Sequence, residues 1–145
     1  MNKWLIFILF LAITCICGSA YSQDASLSRE IWQGTFRQSG LVSWQGQMEL
    51  YIRYDEEAEY PQEVTGMITW IDLGNVRTRI RGKRDASRLV FVEESCLADN
   101  CGGIVLGGKY AGTYQNQQNS LTGQAQHQGI GLMGSFNLDR QRPTN

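Results

Sequence analysis

Few residues in this chain could carry out covalent chemistry. His127 is the only histidine, and it would need a serine or a reactive cysteine beside it to form a nucleophile–base pair. Glu93 and Glu94 are adjacent, so in a strand they point to opposite faces and do not make a ready acid–base pair. We therefore expect His127 on the surface or rim of the fold, and a protein that is not an enzyme.

The cysteines divide into two pairs. Cys15 and Cys17 lie in the apolar N-terminal run, and neither follows the small residue that lipoprotein processing usually requires. Cys96 and Cys101 lie close together in the body of the chain, which predicts a disulfide in an oxidising compartment. A metal site is the alternative, but two thiols and the distant His127 make a poor ligand set. We predict no metal and no cofactor.

The N-terminus has the organisation of a secretory signal peptide. Lys3 supplies positive charge, residues 4–17 form an almost unbroken apolar run, and Gly18-Ser19-Ala20 resembles a cleavage site. Cleavage after Ala20 is expected, with cleavage after Ser22 as the alternative. An uncleaved anchor is less favoured because the run is shorter than the ~20 residues of a spanning helix. These features predict a secreted protein, periplasmic or extracellular, with no membrane span after cleavage.

The charge balance argues against nucleic acid as a partner. The full chain carries 13 Lys and Arg against 14 Asp and Glu, and removal of Lys3 leaves 12 − 14, or −2. Such a chain has no general attraction to a polyanion. Arg77, Arg79 and Arg81 nevertheless lie in phase on one predicted strand and, with Lys109, are candidates for binding an anion or an acidic partner. The alternative is a solvated row that pairs with acids of neighbouring strands, such as Glu49 or Glu63.

The elements that would position these residues are β-strands. Val64 to Gly82 reads as a hairpin in which Val76, Thr78 and Ile80 alternate with the three arginines. Trp44 to Tyr54 alternates in the same way over six inward positions. A local pattern recurs along the chain, in which an apolar residue lies two positions before a glycine, as in WQGTF and VTGMI. Strands are predicted at Ile31–Gln38, Trp44–Tyr54, the two arms of Val64–Gly82, Arg88–Glu94, Ile104–Tyr114, Leu121–His127 and Gly131–Arg140.

Eight strands with short links predict an all-β fold, a single antiparallel up-and-down β-barrel, with a two-sheet β-sandwich as the alternative. Closure would remove the exposed edges of the sheet. A membrane barrel is less favoured because charged residues occupy the faces opposite the apolar ones. The predicted organisation is a signal peptide at 1–20 (or 1–22), a flexible segment at 21–30, the barrel at 31–140 and a disordered tail at 141–145.

Several aromatic side chains fall on the faces assigned to the interior. A barrel of this size is either filled by its side chains or holds one small ligand. The aromatics would line a pocket in the second case and fill the core in the first. The candidate ligand-binding residues are Trp32, Trp44, Tyr54, Trp70, Tyr110 and Tyr114.

The glycine-punctuated, eight-strand pattern resembles the small secreted barrels of the lipocalin, avidin and lysozyme-inhibitor group. Trp32-Gln33-Gly34 has the reverse order of the lipocalin G-x-W signature. Residues 106–110 (LGGKY) resemble the Ser-Gly-x-(Lys/Arg)-Tyr segment of periplasmic inhibitors of c-type lysozymes, although the serine has no counterpart. The resemblance implies a secreted barrel that binds a ligand or inhibits a hydrolase.

Three functions remain open from the sequence. The first is a secreted binding domain that recognises a small ligand or a secreted protein through its interior or its mouth loops. The second is an inhibitor of a secreted hydrolase such as lysozyme, with the Cys96–Cys101 loop as its contact. The third is a structural protein that docks through residues 89–92, a strand apolar on both faces.

Overall fold

The computed structural model describes residues 27–40, 43–99 and 101–142. The predicted signal peptide, residues 21–26 of the predicted flexible segment and residues 143–145 of the predicted tail lie outside the described residues. Gln141 and Arg142 have no regular secondary structure.

The described chain consists of eight strands and one short 3₁₀ helix at Ile71–Leu73. Alternation of buried and exposed residues along the strands follows the period of two that the sequence predicts, because each strand has one face toward the interior. The strands are β1 Leu27–Ser39, β2 Trp44–Asp55, β3 Gln62–Trp70, β4 Val76–Arg84, β5 Arg88–Cys96, β6 Lys109–Gln115, β7 Ser120–His127 and β8 Leu132–Arg140.

Every strand pairs antiparallel with its sequence neighbours, and β8 pairs with β1 to close the sheet. Gly34 in β1 lies opposite Met48 of β2 on one side and Leu138 of β8 on the other. The prediction of a closed eight-stranded up-and-down barrel is therefore confirmed, and the β-sandwich alternative is wrong.

Glycines on the inner face allow the strands to coil tightly enough for closure. A Cβ atom at Gly66 would lie 2.0 Å from the carbonyl oxygen of Tyr51, and one at Gly82 would lie 2.0 Å from that of Val90. Only glycine permits this approach of a neighbouring backbone. The recurring apolar–glycine pattern thus marks points where the sheet bends most strongly.

The middle of the barrel is filled with apolar side chains. Six of them, drawn from five strands, have no solvent exposure at all: Leu50, Ile52, Ile68, Leu89, Leu121 and Leu138. This packed layer separates the two ends of the barrel. We call the end that carries the β1–β2, β3–β4, β5–β6 and β7–β8 loops the open end, and the opposite end the closed end.

Two predicted strand boundaries are wrong by four residues or more. β1 begins at Leu27 rather than Ile31, so residues 27–30 of the predicted flexible segment belong to the barrel. β6 begins at Lys109 rather than Ile104. Gly102, Gly103 and Gly107 have φ angles of 57°, 88° and 92°, which break the extended conformation, and the segment before Lys109 forms a loop at the open end.

Candidate functional site

The open end contains a cavity of about 280 Å³. Four aromatic side chains from β1, β2, β3 and β6 line it: Phe36, Trp44, Trp70 and Tyr110. The ring of Phe36 lies 5.1 Å from that of Trp70, edge to face, and 6.4 Å from that of Tyr110. The ring of Trp44 lies 6.0 Å from that of Trp70. These contacts fix the rings in place, so they form a preorganised aromatic wall.

Glu93 places a carboxylate inside this aromatic wall. Its side chain lines the cavity, and the residue is only 4 % exposed. Oε1 accepts hydrogen bonds from Trp70 Nε1 at 3.1 Å and Thr78 Oγ1 at 2.6 Å. Oε2 accepts one from the Tyr110 hydroxyl at 2.7 Å. The group is thus held in one orientation by three donors, two of them from aromatic residues.

A β-bulge in β5 accompanies the inward position of Glu93. Ile80 of β4 lies opposite Glu93, whereas Arg79 lies opposite Ser95, so Glu94 is the extra residue on β5. Bulges next to functional sites commonly redirect a side chain. Here Glu93 points inward and Glu94 points to solvent, as their adjacency predicted.

The hydroxyl of Tyr110 is held in its protonated form. Burial, together with the negative charge of Glu93, raises the pKa of Tyr110 well above its ordinary value. The ring also stacks on Phe91 with 4.6 Å between centroids and 3° between planes. Tyr110 is therefore a fixed hydrogen-bond donor to Glu93.

The β5–β6 loop borders the cavity and is held at both ends. The predicted disulfide between Cys96 and Cys101 is present, with the Cα atoms 5.7 Å apart. Further along the loop, the amide of Gly107 donates to the carbonyl of Glu93, and the amide of Glu93 donates to the carbonyl of Gly108, both at 3.1 Å. The loop thus pairs directly with the residue that carries the carboxylate.

His127 lies at the rim of the cavity, as the sequence predicted. Its Nε2 is 2.7 Å from the carbonyl oxygen of Leu106 and donates to it. Its Nδ1 is buried and has no hydrogen-bond partner among the described residues. The imidazole therefore joins the β5–β6 loop to the end of β7, and it has no hydrogen bond to a serine or cysteine in the part of the chain that the structure describes.

The closed end contains a second buried carboxylate, Glu30, which is 3 % exposed. Glu30 accepts hydrogen bonds from Trp32 Nε1 at 3.1 Å and from the Tyr54 hydroxyl at 2.8 Å. It also forms ion pairs with Arg84 at 3.2 Å and Arg140 at 3.0 Å. Burial, reinforced by the hydrogen bond to Glu30, raises the pKa of Tyr54.

The guanidinium of Arg84 lies among aromatic rings. Its Cζ is 3.9 Å from the centroid of the Tyr54 ring and 5.3 Å from that of Tyr114. These are cation–π distances. At the closed end, the cation that contacts the buried carboxylate and the aromatic rings is thus a side chain of the protein itself, Arg84.

The six aromatic residues predicted to bind a ligand fall at opposite ends of the barrel. Trp44, Trp70 and Tyr110 line the cavity at the open end. The remaining three pack around Arg84, Arg140 and Glu30 at the closed end: Trp32, Tyr54 and Tyr114. Of the six, therefore, three line the cavity at the open end.

The candidate anion-binding residues lie on the outer surface, away from the cavity. The three arginines are exposed on β4: Arg77, Arg79 and Arg81. Lys109 is also exposed, and it lies two strands away from Arg81, because Arg81 pairs with Val92 of β5 and Val92 pairs with Lys109 of β6. Arg81 forms an ion pair with Glu94.

The acids that the sequence suggested as partners of this row have other contacts. Glu63 pairs with Lys83 at 3.1 Å, and Glu49 accepts a hydrogen bond from Gln33. Within the described ranges Arg77 and Arg79 make no ion pair. The assignment of the arginine row as a binding site remains a prediction.

The cavity-lining residues that were not predicted as site residues include Phe36, Glu93 and Gly108. The signal for Glu93 was present, because Leu89, Phe91 and Glu93 alternate on one face of β5 and the first two are apolar. The sequence had also suggested that Leu89 to Val92 is apolar on both faces. Leu89 and Phe91 are buried, whereas Val90 is exposed and Val92 is half-buried.

Comparison with models of known protein families gave no match, and a comparison with curated proteins found none either. The described part of the chain has no helix long and apolar enough to cross a membrane. Nor do the described residues bring three or more His, Cys, Asp or Glu side chains together in a metal-binding group. The function is therefore inferred from the geometry of the cavity.

Proposed function

We propose that this protein is a secreted, non-catalytic binding protein that takes a small ligand in the cavity at the open end of its barrel. The observation that carries the proposal is the cavity itself, with four aromatic rings and one buried carboxylate around it. Ligand sites are concave and mostly apolar, with a few placed polar groups. The aromatic wall would bind the apolar part of a ligand, and Glu93 would orient its polar part.

The size of the cavity limits the ligand. About 280 Å³ lies at the lower end of the volumes of small-molecule sites, which are about 300 to 1,000 Å³, so the cavity suits a small ligand. The packed layer beneath the cavity closes it toward the rest of the barrel. The ligand would thus enter and leave through the open end.

The non-catalytic part of the proposal is supported by the contacts of the polar groups. Glu93 is the only carboxylate among the described residues that line the cavity, whereas glycoside hydrolysis, for example, generally uses two. His127 has a backbone carbonyl as its hydrogen-bond partner.

Export is supported by the signal-like N-terminus and by the disulfide, because disulfides persist in oxidising compartments. Charged residues such as Arg53 and Arg79 on the outer face fit a barrel surrounded by water. Mass spectrometry of the protein recovered from the culture medium or periplasm tests export. It would give a product that begins at Tyr21 or Gln23, and recovery of only the full-length chain would contradict it.

Binding is tested with two matched variants. Ala125 is buried in β7 and lines the cavity, whereas Ala111 is exposed on the adjacent strand β6. Ala125→Phe should fill the cavity and abolish the NMR chemical-shift changes that small aromatic fragments cause at the Trp70 indole N–H. Ala111→Phe should leave them unchanged. Equal fragment binding by both variants, or no fragment binding by the unsubstituted protein, would contradict the proposal.

A hydrolase inhibitor remains the second candidate. Leu97 and Val105 are exposed on the disulfide-bearing β5–β6 loop, and apolar residues on a stiff loop suit insertion into a cleft. In the segment that resembles lysozyme inhibitors, Lys109 is exposed but Tyr110 is buried against Glu93. Inhibition assays against several lysozyme types test this function, and no inhibition at micromolar excess would end the lysozyme version.

A further inference from the structure

We infer that the cavity at the open end binds a small organic cation bearing N–H donors, such as a primary ammonium or a guanidinium group, with the charge against Glu93. This inference rests on the proposed binding function and specifies the chemical class of the ligand. It follows from a comparison of the two buried carboxylates in the same barrel.

Glu93 and Glu30 have matching neutral partners. Each carboxylate accepts a hydrogen bond from a tryptophan Nε1 at 3.1 Å and from a tyrosine hydroxyl at 2.7 or 2.8 Å. Each therefore has a donor set built from aromatic residues. Thr78 adds one further neutral donor at Glu93.

The two carboxylates differ in their positively charged partners. Glu30 forms ion pairs with Arg84 and Arg140. Glu93 forms no ion pair in the described part of the chain, and no Arg or Lys is among the described residues that line its cavity. Burial of a charge without a counter-charge is costly. The open end therefore has a buried negative charge without the cation that balances its counterpart at the closed end.

The surroundings of Glu93 suit a cation in two further respects. A carboxylate has about four acceptor positions, and three are used, two on Oε1 and one on Oε2, so an acceptor position remains on Oε2 for a donor. Phe36, Trp44, Trp70 and Tyr110 line the cavity, and the faces of aromatic rings attract cations within about 6 Å of the ring centroid. At the closed end, Arg84 occupies this kind of position over Tyr54.

Gly108 keeps the space beside Oε2 open. A Cβ at this position would lie 3.3 Å from Glu93 Oε2 and 3.3 Å from the Tyr110 hydroxyl oxygen. Any larger side chain would therefore occupy the position in which the cationic group contacts Oε2. Because Gly108 does not have a positive φ, a side chain at this position would act through this proximity rather than through the backbone conformation.

The test compares two probes of the same size that differ in charge. Benzylammonium and benzyl alcohol would be titrated into the purified protein at neutral pH, with the Trp70 indole N–H followed by NMR. Benzylammonium should bind about 10- to 100-fold more tightly, as expected for a hydrogen bond to a charged group. Choline and 3,3-dimethylbutan-1-ol form a second pair of a cation and a neutral compound of the same shape. Choline has no N–H to donate to Oε2, so the protein should prefer choline over its neutral analogue by a smaller factor than it prefers benzylammonium over benzyl alcohol.

Two variants locate the effect. Glu93→Gln keeps the shape of the side chain and should remove the preference for benzylammonium over benzyl alcohol. Glu94→Gln changes the adjacent carboxylate on the outer face, which is paired with Arg81, and should leave the preference unchanged. Should Glu93→Gln fail to fold, Gly108→Ala replaces it, and weaker binding of benzylammonium is expected.

The outcomes separate this inference from the proposed function. Equal or tighter binding of benzyl alcohol would overturn the cation inference, while binding in the cavity would stand. Retention of the full preference in Glu93→Gln would also overturn it, because the charge would then act elsewhere. Binding of neither probe, together with no fragment binding, would overturn both.

Discussion

The ion pair at the closed end gives the sharpest prediction for stability. Replacement of Glu30 by Gln keeps the size of the side chain and removes its charge, which leaves Arg84 buried without a counter-ion. The side chain of Arg84 is 3 % exposed, so it cannot turn to solvent, whereas that of Arg140 is 39 % exposed and can. Breaking a buried pair by removing one partner costs about 3 to 5 kcal/mol.

Most of this cost should come from Arg84. The contribution of Arg140 should be within about 1 kcal/mol, because a partly exposed ion pair is worth little. We therefore expect Glu30→Gln to lower the free energy of unfolding by about 3 kcal/mol or more. For a domain of this size, such a loss lowers Tm by roughly 10 °C.

Urea unfolding followed by tryptophan fluorescence measures the effect, with Glu94→Gln as the matched control. Glu94 pairs with Arg81 on the surface, where both side chains are well exposed, so its replacement should cost less than about 1 kcal/mol. The double variant Glu30→Gln/Arg84→Met should recover part of the loss, because the unpaired charge is removed. A loss in Glu30→Gln no larger than that in Glu94→Gln would refute the reasoning.

Three further predictions follow from the open end. Gly108→Ala should keep the far-UV circular dichroism spectrum and weaken benzylammonium binding about tenfold or more, and unchanged affinity would show that the space beside Glu93 is not used. Cys96→Ser/Cys101→Ser should still fold, with the free energy of unfolding lowered by about 2 kcal/mol, and loss of the β-sheet spectrum would contradict a local role for the bond. Because burial and the charge of Glu93 raise the pKa of Tyr110, folding favours its protonated form. This stabilisation is present below the unfolded-state pKa of about 10 and is lost as pH rises above it. Urea midpoints measured between pH 8 and 11 should therefore fall less steeply in Tyr110→Phe than in the unsubstituted protein.

The architecture could be predicted because it depends on local pattern. Trp44 to Tyr54 alternates without interruption, and the structure places these residues in β2 with Met48, Leu50, Ile52 and Tyr54 inward. The closing pair β1–β8 follows from eight strands joined by short links. Strand existence and order are thus set by period and turn residues that lie close together in the chain.

The site could be predicted only in part, because it depends on which residues meet across strands. Both ends of the barrel receive inward-facing aromatics, and the sequence does not tell to which end Trp32 or Trp70 belongs. That assignment requires the register, which places Trp70 opposite Met48 and Val76 at the open end. The buried role of Glu30 was missed because β1 was predicted to begin one residue after it.

The contacts of the two buried carboxylates predict that their charges have different effects on stability. At the closed end, Glu30 joins β1 to Arg84 of β4 and Arg140 of β8, so its charge helps to fix three strands. At the open end, the donors to Glu93 among the described residues are all neutral, and in this part of the chain its charge joins no strands through an ion pair. Glu93→Gln should therefore leave the free energy of unfolding of the ligand-free protein unchanged or raise it, because a buried unpaired charge is removed while a hydrogen-bonding side chain of the same size remains. Added benzylammonium should then stabilise the unsubstituted protein more than this variant. Destabilisation of Glu93→Gln as large as that of Glu30→Gln would mean that the open-end carboxylate is a structural group, and that the charge of Glu93 is required for the fold rather than reserved for a ligand.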